Sequence, residues 1–547
     1  MNVVEFLRSD ESTSWHMILF MSAVSGIAGG AILAIVNVAA SIEGADASPD
    51  AAKTQPMLLF LVAIAIYVYA KRSSILRATV AVERLVNGLR LRICDKLRKS
   101  DLQIVEGLDK SETFSTITQD ANLIAQSGFI VTNAAQQGVM LGAGMLYLAW
   151  LSKAAFLLFA TGAAVGAWAY FSQKRSLETA VRMDMEKQAE LFGYLSHMLY
   201  GVKELKLNTA KSDELFADMT RVGDESQEYR VTANSFYVVS AVFADITLYM
   251  MLGSIIFILP QVIPTYSEVL IKATVAIMYV FGPLASVVGS MPQIANAESS
   301  LENLFRLEKK LDEHLSESEL AAGTSGKPFT RFDTISLENV SFEYGDTSGL
   351  DAFSVGPVDI EVRRGEILFI VGGNGSGKTT LVKLIAGLYV PKQGVLKIDN
   401  RKVSRQRLPA YRNLFAGVFS DIHLFDQLYG VGELDQERAE SLLERMEMSD
   451  KVEFTGNRFS TLELSTGQRK RLALIASLLE DRQVYLFDEW TADQDPHFRE
   501  QFYHSILPEL KEQGKTVIAV SHDDRYWSAA DRLIKMDYGK VIDDSGS

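Results

Sequence analysis

The sequence predicts a chain in two unlike parts: an α-helical half with six membrane-crossing segments, then an α/β half built around a phosphate-binding loop. Three observations carry this. Apolar runs of membrane-spanning length recur between residues 16 and 291. A polar, Gly/Ser-containing stretch, "DEHLSESELAAGTSGKPF", then interrupts them at 312–330. Beyond it an apolar strand, a glycine-rich turn and an amphipathic helix follow in the order that cradles phosphate.

Length and charge narrow the function classes. At 547 residues the chain is too long for one ordinary domain. It is 48% hydrophobic although it carries 68 acids and 54 bases, an average that hides the difference between the halves. A net charge of −14 argues against a nucleic-acid binder, whose surface would be basic. Cys94 is the single cysteine, so neither an intrachain disulfide nor a thiolate metal cluster can form.

The apolar runs lie at 16–40, 56–72, 128–151, 153–172, 236–259 and 267–291, and each approaches the ~20 residues that cross a bilayer. The first is long and lacks a clear small-residue cleavage site after it, so it reads as an uncleaved span. The rival reading is buried helices of a large soluble core, but six such runs in one half are hard to bury without lipid. Basic residues orient them. Lys71, Arg72, Arg77, Arg84, Arg90, Arg92, Lys96, Arg98 and Lys99 follow the second run, whereas "SIEGADASPDAAKTQ" after the first holds only Lys53. Basic loops stay in the cytoplasm, which places both termini and the α/β half there. The long connections 73–127 and 173–235 then project inward as helices, and "GLDKSETFSTITQDANLI" and "YGVKELKLN" within them are expected to touch the soluble half. The expected division is a membrane domain at 1–311, a linker at 312–330 and a nucleotide-binding domain at 331–547.

In "GEILFIVGGNGSGKTTLVKLIAGL" the pattern G-x-x-x-x-G-K-[ST] is met by Gly372, Gly377, Lys378 and Thr379. Glycines let the N–H groups of the turn, through Asn374, Gly375 and Ser376, curl around phosphate oxygens, and the helix beginning near Thr380 adds its positive end. Lys378 would neutralise β- and γ-phosphate charge, and the Thr379 hydroxyl would hold Mg²⁺. The cofactors expected are therefore ATP and Mg²⁺.

Further on, "VYLFDEWTADQDP" sets Asp488 and Glu489 side by side at a strand end. Like charges repel there unless something repays holding them. A strand parallel to the one feeding the phosphate loop would put both beside the nucleotide. Asp488 would sit near Mg²⁺, and Glu489 would polarise the water that attacks the γ-phosphate. The rival is two solvated acids with no role.

At "ELSTGQRKRLAL" the sequence resembles an ABC transporter ATPase. The family motif Leu-Ser-Gly-Gly-Gln is matched by Leu464, Ser465, Thr466, Gly467 and Gln468, with Thr466 a departure. The resemblance implies a head-to-tail ATPase dimer in which these residues cap the nucleotide held by the partner. A β-branched Thr466 is strained if the usual glycine needs a positive φ and tolerated if it does not. By the same resemblance Tyr344 stacks on adenine, His522 hydrogen-bonds the γ-phosphate and Asp495 ends the loop that crosses the dimer interface. Ser420 occupies the place of a Mg²⁺-contacting glutamine and has a shorter reach; His423 nearby reads as an exposed loop histidine. Trp490 stands where the family usually has a small residue. These two departures put the coupling geometry in question.

Six spans followed by one ATPase domain is the layout of a type I (type IV) ABC exporter half-transporter. "FDEWTADQDP" and the serine at the glutamine position are similar to the cyclic-peptide exporter group, which includes transporters of nonribosomal peptides and of pyoverdine-type siderophore precursors. No cysteine-protease segment precedes the first run, which disfavours the leader-cleaving type. In the spans, Asn133, Gln136 and Gln137 share a helical face with Met140. Asp245 lies well inside the fifth run, where an acid is a functional candidate. Each is either part of a transport path or a helix–helix contact; Lys272 can snorkel and is assigned nothing. The expectation is an ATP-driven exporter of a peptide-like cargo, a homodimer in a bacterial inner membrane. Lipid or multidrug export is the rival within the class, and a non-transporting regulatory ATPase the rival outside it, against which Glu489 argues.

Overall fold

The computed structural model describes residues 5–6, 14–42, 51–258, 261, 270–313, 329–344 and 353–546. Residues 314–328 of the expected linker lie outside the described residues. The chain divides into two compact units, one formed by Met1–Arg98 and Leu108–Asp312, the other by Lys99–Gly107 and Glu313–Ser547.

The first unit contains long helices: α1 (Trp15–Ile42), α2 (Ala51–Lys99), α4 (Ala121–Leu151), α5 (Lys153–Tyr200), α6 (Thr209–Gly253) and α7 (Leu270–Asp312), while α3 (Leu102–Glu106) falls in the second unit. The six apolar runs fall in these helices, except that Ser254–Ile258 continues α6 as a π-helical turn and 259 and 267–269 lie outside the described residues. Among the described residues, four helices are long and apolar enough to cross a membrane, and Lys153–Trp168 is apolar over a shorter stretch. Small residues let the helices approach, as they do in lipid. A Cβ on Gly26 of α1 would lie 2.8 Å from Val139 of α4, and one on Gly144 of α4 would lie 2.5 Å from Val280 of α7. Thus α4 packs chiefly against α1 and α7, whereas α5 packs against α6. Two basic residues that orient the chain are also structural. Arg92 and Lys96 both reach Glu308 at 2.7 Å, and Lys96 also reaches Asp312.

The second unit is an α/β fold. An antiparallel sheet has the order β2 (Ser354–Arg363), β1 (Thr334–Glu343), β4 (Gln393–Ile398), β5 (Arg401–Lys402). A six-stranded sheet has the order β12 (Lys540–Gly546), β11 (Arg532–Asp537), β3 (Ile367–Gly372), β10 (Thr516–Val520), β9 (Val484–Asp488), β6 (Phe415–Val418); β7 (Phe454–Thr455) and β8 (Arg458–Phe459) form a small hairpin. Residues 367–371, 484–488 and 516–520 are buried throughout, as expected of parallel strands covered on both faces. One apolar core lies against β1, β4 and helix α8 (Lys378–Ile385). The other surrounds Trp490, Phe498 and Phe502 and takes in helix α9 (Thr466–Glu480). β9 runs parallel to β3 as expected, but β10 lies between them, with Val520 paired to Asp488 on one side and Ile370 on the other.

Of the inward connections, Lys99–Gly107 belongs to the second unit and helix Val202–Leu207 to the first. The reason is local chemistry. Glu106 accepts from Lys383 Nζ at 2.8 Å and from the Tyr389 hydroxyl at 2.5 Å, Asp101 faces Arg412 at 3.8 Å, and Leu102 packs on the apolar core.

Candidate functional site

The carboxyl ends of β3, β10 and β9 deliver the site's residues to one edge of the sheet, where open α/β sheets bind ligands. β3 ends in Gly372, whose φ of 147° and position forbid a side chain: a Cβ would lie 2.2 Å from the Met536 carbonyl oxygen. Gly375 (φ 76°) and Gly377 (φ 100°) bend the turn into α8, and Asn374 is exposed at its tip. Lys378 Nζ folds back over the turn, donating to the Gly373 carbonyl at 2.8 Å and the Gly372 carbonyl at 3.2 Å. Burial pushes its ammonium below the ordinary lysine range, which nearby Glu489 and Asp488 oppose. Ser376 Oγ is buried without a hydrogen-bond partner among the described residues. A donor cradle, a buried lysine and an unpaired hydroxyl around one turn fit a polyphosphate.

Asp488 is buried at the end of β9. The Thr379 hydroxyl donates to its two carboxylate oxygens at 3.2 and 3.1 Å, and the Ser420 hydroxyl donates to one at 3.3 Å. Burial pushes the Asp488 carboxyl up from its ordinary range, the Thr379 hydrogen bond working against this. One carboxylate and two hydroxyls make an all-oxygen donor set of the kind Mg²⁺ takes beside nucleotide phosphates. Glu489 follows in a left-handed conformation (φ 53°), unusual for a residue with a side chain. Its Oε1 lies 2.6 Å from His522 Nε2, which reaches it because β10 is the strand between β3 and β9.

The remaining expected residues fall in two further places. Tyr344 follows β1, with its hydroxyl 2.9 Å from Thr380 Oγ1 and its ring edge-on to Phe342 and Tyr389. Ser465 caps α9 in a reciprocal pair with Gln468. Thr466 is the first helical residue of α9 and has no positive φ, so its β-branch is unstrained. Gly467 is the constrained position, since a Cβ there would lie 2.8 Å from the Asp493 carbonyl oxygen. Asp495 accepts from Arg471 at 2.8 Å and caps the helix beginning at Pro496, and its Phe498 N–H hydrogen bond holds the carboxyl below the usual range. His423 is exposed, with its ring against Phe425.

In the helical unit, Asn133 donates to Ser286 at 3.3 Å, while Gln136 Nε2 and Gln137 Oε1 are buried without partners among the described residues. These amides sit on α4, between α1 and α7; Asp245 is exposed on α6, which packs chiefly on α5. The amides and Asp245, each expected either in a transport path or at a helix contact, thus lie on different helix pairs. Sequence reasoning missed Lys470, which is buried beside Glu489. A lysine at 4% exposure, on the polar stretch "QRKR", gave no sequence signal.

The ABC transporter family matches residues 355–492. The chain is 29% identical over 556 residues to the ATP-binding protein SyrD of Pseudomonas syringae pv. syringae, covering 99% of this chain and 96% of that protein. It is 32% identical over 204 residues to the macrolide export ATP-binding/permease protein MacB of Shewanella sp. (strain ANA-3), covering 34% of this chain and 30% of that protein. A solved structure described as a bacterial Atm1-family ABC exporter with ATP bound superposes with a TM-score of 0.76 at 16% identity, covering 98% of this chain and 96% of that one. With a phosphate cradle, paired acids and a signature helix, the second unit carries an ATP-hydrolysing domain that matches the ABC transporter family over residues 355–492, and the chain as a whole has the fold of an ABC exporter half-transporter.

Proposed function

We propose that the chain exports a peptide-like cargo, such as a cyclic or nonribosomal peptide or a siderophore precursor, across a bacterial inner membrane, working as a homodimer with its ATPase domain in the cytoplasm. The observation that carries the ATPase chemistry is the Glu489–His522 contact beside the Thr379–Asp488–Ser420 cluster. Tyr344 stacks on adenine, and the turn from Gly372 to Thr380 wraps the phosphates, with Lys378 turned from its carbonyl partners toward them. Thr379, Asp488 and Ser420 would hold Mg²⁺, which supplies charge neutralisation at the β- and γ-phosphates. Glu489 accepts a hydrogen bond from the attacking water and polarises it, and His522 holds Glu489 in line and contacts the γ-phosphate. Ser465, Thr466, Gly467 and Gln468 cap the nucleotide of the second copy, with Asp495 at the loop between the copies.

The cargo class is supported by the "FDEWTADQDP" resemblance and by amides of the helical unit that have no partner among the described residues, since Gln136 and Gln137 offer a donor and an acceptor that an amide-rich cargo satisfies. The test is export itself. Cells making the wild-type chain or Glu489→Gln are compared by mass spectrometry of cytoplasm and medium. Amide-rich products retained inside only in the variant support the reading; retained lipids would move it to lipid export, and identical profiles would overturn it.

A further inference from the structure

Lys470 lies one turn into the signature helix α9, yet it is 4% exposed. Its ammonium donates to the Glu489 carbonyl oxygen at 3.0 Å and sits 2.6 Å from the Asp493 carboxylate. The link is returned by the next residue. Trp490, 1% exposed, donates its indole N–H to the Lys470 carbonyl at 2.9 Å and stacks on Phe502 with ring centres 4.6 Å apart. Arg471 reaches Gln494 and Asp495, and Gln494 returns to the Gly467 carbonyl at 3.0 Å. The start of α9 is thereby tied, residue by residue, to the loop that follows β9.

We propose that Lys470 is a positioning residue for ATP hydrolysis: its buried ammonium, held by Asp493 and Glu489 and backed by Trp490, fixes the left-handed backbone of Glu489 and so the aim of its carboxylate. This rests on the reading of Glu489 as the residue that polarises the attacking water. The physical need is specific. Glu489 adopts a backbone conformation that side-chain-bearing residues rarely hold unless their surroundings impose it. Its side chain is held by His522, and its amide nitrogen donates to the Val520 carbonyl at 3.3 Å; Lys470 holds its carbonyl. Trp490 has a purpose in this arrangement that a small residue could not serve, because its indole anchors the backbone of the lysine that anchors Glu489. Since Lys470 belongs to the signature helix, a shift of that helix moves Glu489 with it.

The test uses the full-length protein in detergent or lipid nanodiscs. Lys470→Met keeps the stem and removes the three donors; Asp493→Asn, at an exposed carboxylate, weakens the same link with little risk to folding. Misplacement of about 1 Å costs up to ~10²-fold in rate, so Lys470→Met should lower kcat by roughly ten- to a hundredfold, and Asp493→Asn by less. Fluorescent-ATP affinity and KM should stay within about twofold, because the phosphate loop is untouched, and the double variant should be no slower than Lys470→Met. A purely structural lysine would instead lower the melting temperature and leave kcat of the folded fraction intact. If Lys470→Met fails to fold, Asp493→Asn decides: unchanged kcat overturns the proposal. Glu489→Gln run alongside separates the two claims. Retained turnover there sinks the water-activation reading, whereas its loss with full turnover in Lys470→Met sinks only the positioning role.

Discussion

His522 Nε2 and Glu489 Oε1 stand 2.6 Å apart at the ends of neighbouring parallel strands. A histidine that steadies a carboxylate, which in turn faces the phosphate loop, predicts unequal losses. Glu489→Gln should nearly abolish hydrolysis while ATP binding survives, because general-base catalysis contributes about 10²–10⁴-fold. His522→Ala should also slow turnover, with ATP affinity less affected than in Lys378→Ala. Steady-state ATPase and nucleotide-binding assays measure both. More than about a tenth of wild-type turnover in Glu489→Gln would exclude it as the base.

Ser420 shares the Asp488 carboxylate with Thr379 but is exposed and at the longest distance of the three contacts. Water can replace its hydroxyl. Ser420→Ala should lower ATPase only a few-fold, and Ser420→Gln should be tolerated. Hydrolysis across a Mg²⁺ titration reads this, and complete loss in Ser420→Ala would make the serine a required ligand.

The two central signature positions should respond in opposite ways. Thr466 has right-handed backbone at a helix start, so Thr466→Gly should leave ATPase nearly unchanged and cost at most about 1 kcal/mol in helix propensity. Gly467→Ala places a methyl 2.8 Å from the Asp493 carbonyl oxygen and should cripple turnover. Equal tolerance at both positions, measured as ATPase and melting temperature, would contradict the geometry.

Asp245 is exposed on α6, and a bare carboxylate facing hydrocarbon costs roughly 2.5–3.5 kcal/mol on insertion scales. It should therefore face water, cargo or a cation. Asp245→Asn should impair export and leave basal ATPase and membrane assembly intact. An unchanged export rate assigns the residue to structure.

What the sequence disclosed was what is local. The turn from Gly372 to Thr379 and the pair Asp488–Glu489 are read within one strand and its following loop, where spacing alone dictates geometry. Ser420 was placed by the resemblance, at the family's glutamine position, and its hydroxyl donates to Asp488. What stayed hidden depends on distant segments meeting. Lys470 looks like a solvated member of "QRKR" until Glu489 and Asp493 close over it. Trp490 looked like a disturbance of coupling, yet it fills the core beside Phe502 and anchors α9. Thr466 could not be judged without the backbone angle. Hydropathy finds the spans that hold Asp245 and the α4 amides and says nothing of which spans pair. Glu106 gave no signal for the same reason: its partners Lys383 and Tyr389 lie nearly three hundred residues away.

The central claim is that ATP is hydrolysed at a site shared by two copies, with one copy's phosphate loop facing the other's signature. Cysteines introduced as Ser376→Cys and Ser465→Cys, in a Cys94→Ser background, test it most directly. Oxidative crosslinking should yield a two-chain product that ATP increases, and mixing chains that carry one cysteine each should yield the same product. Crosslinks confined within single chains, or a two-chain product indifferent to ATP, would contradict the account.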